Sequence, residues 1–270
     1  MQPAVTESAE PILRLRGVGR RFGGLDAVRD VDLDVAHGER RAVLGPNGAG
    51  KTTLFNVISG DMRATSGTIT FLGEDIGLLP AARRTQRGIG RTYQKSRLFL
   101  GLSVEDNLYL AVLGKRRGHL RMRRAAADGE MRERARELAG AVGLRARLGD
   151  LVGSISHGEQ RQLEVGMARA VDPKLMLLDE PASGLSRGER VALTDLLLEL
   201  TKSITLILIE HDMDVALRVA DSVTMMHDGR KIVEGTPDEI RSNELVLELY
   251  LGGRVSGSEI EVSPSAEARS

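Results

Sequence analysis

The sequence predicts an α/β fold with a β-rich beginning, an inserted run of helices and a core sheet of parallel strands. Three observations predict it. Val31, Leu33 and Val35 alternate with Asp30, Asp32 and Asp34, the period of a strand buried on one face. From about residue 80 to 143 the pattern turns helical, with Arg- and Ala-rich segments such as residues 131–141. Two continuous apolar runs, 175–178 and 206–209, each follow a helical stretch. Runs apolar on both faces suit the central strands of a parallel sheet.

The remaining elements follow in order. Residues 1–11 are small and polar and read as disordered. Residues 41–44 make a short strand running into a glycine loop, and the helix after the loop spans about 51–59, with Gly60 as its stop. Ile69 and Phe71 alternate again between Ser66-Gly67 and Gly73. Asp228-Gly229, between apolar residues 223–226 and 231–233, predicts a two-residue hairpin turn. Residues 253–270 are rich in Ser, Glu and Gly without an apolar period and read as a tail. This gives one ordered domain over 12–252, with a helical subdomain at approximately 95–170.

Composition narrows the function. Lys plus Arg and Asp plus Glu both number 38, which argues against a basic protein that wraps DNA. Cysteine is absent, so disulfides and thiolate zinc sites are excluded. Aromatic residues make up 3% and Trp is missing, a poor composition for stacking single-stranded bases. No apolar run approaches the ~18 residues of a membrane span. The start lacks the basic-then-apolar pattern of a signal peptide. The expectation is a soluble, cytoplasmic protein.

Residues 45–53 read Gly-Pro-Asn-Gly-Ala-Gly-Lys-Thr-Thr and fit G-x-x-x-x-G-K-[ST]. Glycines at 45, 48 and 50 let backbone N–H groups, with those of Asn47 and Thr53, turn inward around phosphate oxygens. The following helix adds its positive N-terminal end. In this reading Lys51 reaches the β- and γ-phosphates of ATP and the Thr52 hydroxyl holds Mg²⁺. The strand before the loop and the helical apolar face of Leu54, Phe55, Val57 and Ile58 after it supply the required context.

The apolar run at 175–178 ends in Asp179-Glu180. Acids at the C-terminal end of a parallel strand lie where open α/β sheets bind ligands. Asp179 is a candidate Mg²⁺ ligand, and Glu180 a candidate base for the attacking water. The second run ends in Glu210-His211-Asp212, with His211 at the same sheet edge, able to donate to the γ-phosphate. Alone, His211 would read as a helix-start histidine. His37, His119 and His227 have no such company.

Together these motifs resemble the ATP-binding subunits of ABC transporters, over about residues 12–252. Residues 155–160, Ile-Ser-His-Gly-Glu-Gln, resemble the family segment L-S-G-G-Q, with His157 at a usual glycine. The resemblance implies a P-loop NTPase core in which Ser156 and Gly158 meet ATP held by a second protomer. On its own, Ser156 would read as a helix cap. By the same resemblance Phe22 stacks on adenine, although alone it would read as core. Gln94 meets Mg²⁺ and the attacking water. Ser183-Gly184-Leu185-Ser186 lines the dimer interface, with Ser186 at a usual aspartate.

A finer resemblance is to the branched-chain amino acid importer branch. It rests on residues 88–94 with Arg97-Leu98-Phe99, on residues 54–60, on Glu210-His211-Asp212-Met213 and on Tyr250-Leu251-Gly252. Ser156-His157-Gly158 and residues 164–167 are also similar to the urea and short-amide members, and lipopolysaccharide-export ATPases are further cousins. The implied partners are membrane permease subunits, a second ABC ATPase (a heterodimer favoured over a homodimer) and, indirectly, a periplasmic or extracellular solute-binding protein. The implied place is the inner face of the cell membrane. A nucleic-acid-associated ABC ATPase is the competing class; the coiled coil, zinc cysteines or second cassette common there are absent, so no nucleic-acid partner is expected. The basic stretch with Lys115, Arg116, Arg117, Arg121, Arg123 and Arg124 reads as a solvated face or as a contact for anionic lipid.

Overall fold

The computed structural model describes residues 10–94, 96–115 and 124–251. Most of both expected tails, and Arg116, Arg117, Arg121 and Arg123 of the basic stretch, lie outside the described residues. The strands are β1 (Leu13–Phe22), β2 (Leu25–Val35), β3 (Arg40–Leu44), β4 (Ser66–Phe71), β5 (Glu74–Asp75), β6 (Ile89–Arg91), β7 (Leu175–Asp179), β8 (Thr205–Ile209), β9 (Ser222–His227) and β10 (Arg230–Gly235). The helices are α1 (Lys51–Ser59), α2 (Ala81–Gln86), α3 (Val104–Lys115), α4 (Arg124–Ala141), α5 (His157–Arg169), α6 (Arg187–Glu199), α7 (Met213–Val219), α8 (Pro237–Ser242) and α9 (Glu244–Leu251).

Two sheets organise the chain. An antiparallel sheet has the order β2-β1-β4-β5. The core sheet has the order β10-β9-β3-β8-β7-β6, parallel except for the β9–β10 hairpin. The hairpin turns at Asp228 and Gly229, both with positive φ (46° and 79°), as a two-residue primed turn requires.

The period of two divides the core sheet between two apolar layers. Val43, Leu175, Leu177, Ile207 and Ile209 face α1 and the antiparallel sheet. Ala42, Leu44, Met176, Leu178, Leu206 and Leu208 face the layer shared with α3, α4, α5 and α6. Both faces are covered, which is why β7 and β8 read as unbroken apolar runs. The same parity puts Arg91 with Ile89, and Asp179 with Leu175 and Leu177, on the α1 side. Helix α1 is tied down at its far end by Arg84, almost wholly buried. Its guanidinium donates to the carbonyls of Val57 (2.7 Å), Ile58 (2.8 Å), Leu79 (2.9 Å) and Gly77 (3.0 Å). Burial lowers its pKa to about 10, so it stays charged at neutral pH and complements the negative end of α1.

One element departs from expectation. Residues 80–143 are not helical throughout, because Ile89–Arg91 forms edge strand β6, parallel to β7. Three residues are too few to display a period, and Gly88 before the strand and Gly90 within it hide it further. Gly90 is needed for contact: a Cβ there would lie 2.7 Å from the carbonyl oxygen of Ala168.

Candidate nucleotide site

The phosphate loop leaves β3 and enters α1 through Gly50, whose φ is 94°. A Cβ on Gly50 would stand 2.3 Å from the carbonyl oxygen of Ala27, so only glycine allows the loop to lie against β2. The Asp228-Gly229 turn braces it: Gly229 N–H donates to Ala49 O (3.1 Å), and Arg29 N–H donates to Gly229 O (2.7 Å). No side chain caps the start of α1, so its first N–H groups remain available to an anion. Asn47 and Gly48 are exposed at the loop tip; Thr52 and Thr53 occupy the first turn of α1, half-buried. Lys51 is 6% exposed and donates to the carbonyls of Gly45 (2.6 Å) and Pro46 (3.0 Å). Burial lowers its pKa, while the nearby Glu180 and Asp179 charges oppose the shift.

Asp179 ends β7 and is 1% exposed. Its Oδ2 accepts from Arg91 (3.2 Å), and its backbone N–H donates to Thr92 Oγ1 (3.2 Å). Its Oδ1 is buried without a hydrogen-bond partner. Burial raises the Asp179 pKa, and Arg91 pulls it back. Glu180, next in the chain, has φ 50°, a left-handed conformation that costs a non-glycine residue about 1 kcal/mol. Its N–H donates to Ile209 O (3.0 Å), and its Oε2 accepts from Gln94 Nε2 (3.3 Å). Thus Lys51, Asp179, Glu180 and Gln94 come together.

His211 follows β8 with its side chain 55% exposed; its Nδ1 is 3.9 Å from Glu210 Oε2. Phe22 ends β1, 41% exposed, with the Arg20 guanidinium 4.6 Å from its ring centre. Exposure at the end of a strand is what a stacking residue needs and what a core residue lacks.

Ser156 caps α5. Its hydroxyl accepts from Glu159 N–H (3.2 Å) and its own N–H donates to Glu159 Oε2 (2.8 Å), a reciprocal capping box. Gly158 is buried and donates to Glu189 Oε1 (2.9 Å). A Cβ at Gly158 would lie 2.7 Å from Glu189 Cγ, so glycine is required there. Glu189 also belongs to the capping box of Ser186 at the start of α6. The Ser186 hydroxyl, with the N–H groups of Gly158 and Ser186, holds its pKa down to about 2. The carboxylate therefore joins the first turn of α5 to the loop before α6.

Arg91, Glu189 and Glu210 did not emerge from the sequence. Glu210 is fully buried, accepts from Ala182 N–H (2.8 Å), and has its pKa raised by burial. It ties the segment after the two acids to the strand that carries His211. For Glu189 a sequence signal existed, in Ser186-x-x-Glu189. For Arg91 and Glu210 no local pattern marks the partner.

A glycine loop with a buried lysine after β3, and an acid pair at the end of β7, one strand removed from it, define a P-loop nucleotide-binding site. Comparison with known proteins agrees: the family model described as ABC transporter matches residues 28–183, and one described as branched-chain amino acid ATP-binding cassette transporter matches 230–256. The chain belongs to the ABC transporter family, as one of its ATP-hydrolysing subunits.

Among its relatives is the high-affinity branched-chain amino acid transport ATP-binding protein LivG of Salmonella typhimurium, 36% identical over 254 residues. The match covers 90% of this chain and 99% of LivG. The corresponding protein BraF of Pseudomonas aeruginosa is 35% identical over 257 residues, with the same coverage. Among solved structures, the ADP conformation of MJ1267, an ATP-binding cassette of an ABC transporter, has a TM-score of 0.79 at 30% identity, covering 89% of this chain and 98% of that one. A nucleotide-free cassette gives 0.80 at 30% identity, covering 88% and 98%.

Proposed function

We propose that this chain powers an importer of branched-chain amino acids or a similar small polar solute. The observation that carries it is similarity to LivG and BraF along nearly the whole of those proteins. ATP would lie across the phosphate loop, with Gly45, Asn47, Gly48, Gly50, Lys51, Thr52 and Thr53 around its phosphates and Phe22 against its adenine. The site suits Mg²⁺: Asp179 offers a buried oxygen without a partner, and Thr52 offers a hydroxyl in the first turn of α1. Thr52 and Asp179 would hold the cation, with Gln94 beside it; when bound, it neutralises charge on the β- and γ-phosphate oxygens. Glu180 would take the proton of the attacking water, and His211 would donate to the γ-phosphate.

Among the described residues no helix is long and apolar enough to cross a membrane. In our reading the chain works at the inner face of the membrane on separate permease subunits, supplied by a solute-binding protein outside. A purified complex with its permease should show ATPase activity stimulated by leucine, isoleucine or valine with the binding protein. Stimulation by urea or short amides alone would overturn the substrate reading and leave the ATPase intact.

Ser156 and Gly158 would complete the site of a second cassette, a related partner in the favoured heterodimer. Ser156, exposed where α5 begins, supports this. Ser156→Arg should then abolish turnover at the partner's ATP while nucleotide binding at Lys51 persists. Binding and ATPase activity measured on one purified complex decide it: loss of binding at this chain's own loop, with the partner's turnover intact, would mean the segment acts within its own protomer.

A further inference from the structure

Arg91 ends the edge strand β6, and every nitrogen of its fork is engaged. Nη1 donates to Ser59 Oγ (2.7 Å) and Asp61 Oδ2 (2.9 Å). Nε donates to Thr92 O (3.3 Å), and Nη2 donates to Asp179 Oδ2 (3.2 Å). The side chain is 6% exposed. Asp61 is itself fixed by the Ser59 hydroxyl (2.8 Å). One side of the guanidinium is thus braced on the end of α1, and the other grips one oxygen of the acid that ends β7.

The neighbouring residue completes the grip. Thr92 N–H donates to Leu177 O (2.9 Å), and Thr92 Oγ1 accepts from Asp179 N–H (3.2 Å). Backbone and carboxylate of Asp179 are both held from the β6 end. A carboxylate with one oxygen engaged cannot turn about its terminal bond without breaking that contact. Its other oxygen, Oδ1, is the one left over, buried and without a partner.

We infer that Arg91 is a positioning residue of the ATPase site: braced on Ser59 and Asp61, it holds Oδ2 of Asp179 and leaves Oδ1 as the oxygen offered to the divalent cation of the nucleotide. This rests on the Mg²⁺ reading of Asp179 above. The planar fork matters, because it reaches carboxylate and brace together, which an ammonium group cannot do. The contact also adjoins Gln94. Tyr93 lies between Arg91 and Arg97, whose guanidinium carbons are 4.8 and 3.6 Å from its ring centre, and Gln94 touches Glu180. The orientation of the metal ligand and the placement of Gln94 therefore share one short segment.

The test is the Mg²⁺ dependence of nucleotide binding, with no turnover involved. A fluorescent N-methylanthraniloyl-ADP is bound to the full chain in EDTA and then during a Mg²⁺ titration. Arg91→Gln should leave Mg²⁺-free affinity at the wild-type value and raise the Mg²⁺ concentration for half-maximal enhancement by about tenfold to a hundredfold, the usual loss when the partner of a metal ligand is removed. Arg91→Lys should recover part of the shift. Asp61→Asn, which alters a partly exposed residue and loosens the brace from its far side, should move the midpoint in the same direction, and it keeps the test alive should Arg91→Gln fold poorly. A wild-type midpoint in both Arg91→Gln and Asp61→Asn, with Asp179→Asn shifted, would overturn the inference. So would an affinity loss equal with and without Mg²⁺, which marks a merely structural arginine. An unshifted Asp179→Asn would overturn the cation reading itself, and the inference with it.

Discussion

Replacing Lys51 by alanine is expected to weaken nucleotide binding by at least about a hundredfold and to remove turnover with it. The ammonium group sits across its own loop on the carbonyls of Gly45 and Pro46. In the proposed complex it exchanges them for two phosphate groups. Charge-assisted contacts of this kind contribute about 1.5–3 kcal/mol each, and about 1.4 kcal/mol is a factor of ten. The substitution leaves the apolar anchors of α1, Leu54, Phe55, Val57 and Ile58, in place, so the fold should survive. Calorimetric titration with ATP and ATPase activity in the assembled transporter measure the two losses together. Normal activity there would refute the assignment.

Glu180→Gln is expected to separate binding from hydrolysis. Glutamine keeps the length of the side chain and can still accept from Gln94, but it cannot take a proton. The left-handed backbone at this position, φ 50°, is no harder for Gln than for Glu. A positioned general base contributes about 10²–10⁴-fold, so ATP should bind with near-normal affinity while turnover falls by at least a hundredfold. ATP-bound cassettes that cannot hydrolyse should accumulate as a closed dimer with Mg-ATP in size-exclusion chromatography. A variant that stays monomeric and hydrolyses normally would sink the role given to Glu180.

What the sequence disclosed follows from the range of the interactions involved. The phosphate loop was legible because a strand, three glycines, a lysine and a helix are contiguous and each has a local reason. Asp179 and Glu180 were legible because an apolar run ending in acids is also local. Strand β6 was not, since Ile89–Arg91 is shorter than one recognisable period and owes its extended form to β7. Arg91, Glu189 and Glu210 were not, because each acts through a partner far off in the chain: Asp179, Gly158 and Ala182 respectively. Ser186-x-x-Glu189 could be read as a cap. Nothing local reveals that the same carboxylate also takes the N–H of Gly158, and with it the first turn of a different helix.

The turn at Asp228-Gly229 has a practical corollary for anyone who wants to add something to this chain. Surface hairpins are the usual place to insert an epitope, a cysteine-bearing linker or a fluorescent reporter, because their tips face solvent and make few contacts. This one is different. Gly229 carries both bonds, to Ala49 and from Arg29, so the tip of a peripheral ribbon doubles as the back wall of the loop that holds phosphate. Lengthening it by even one residue removes the register that lets Gly229 meet Ala49, and a reporter placed there would record its own damage to the binding loop.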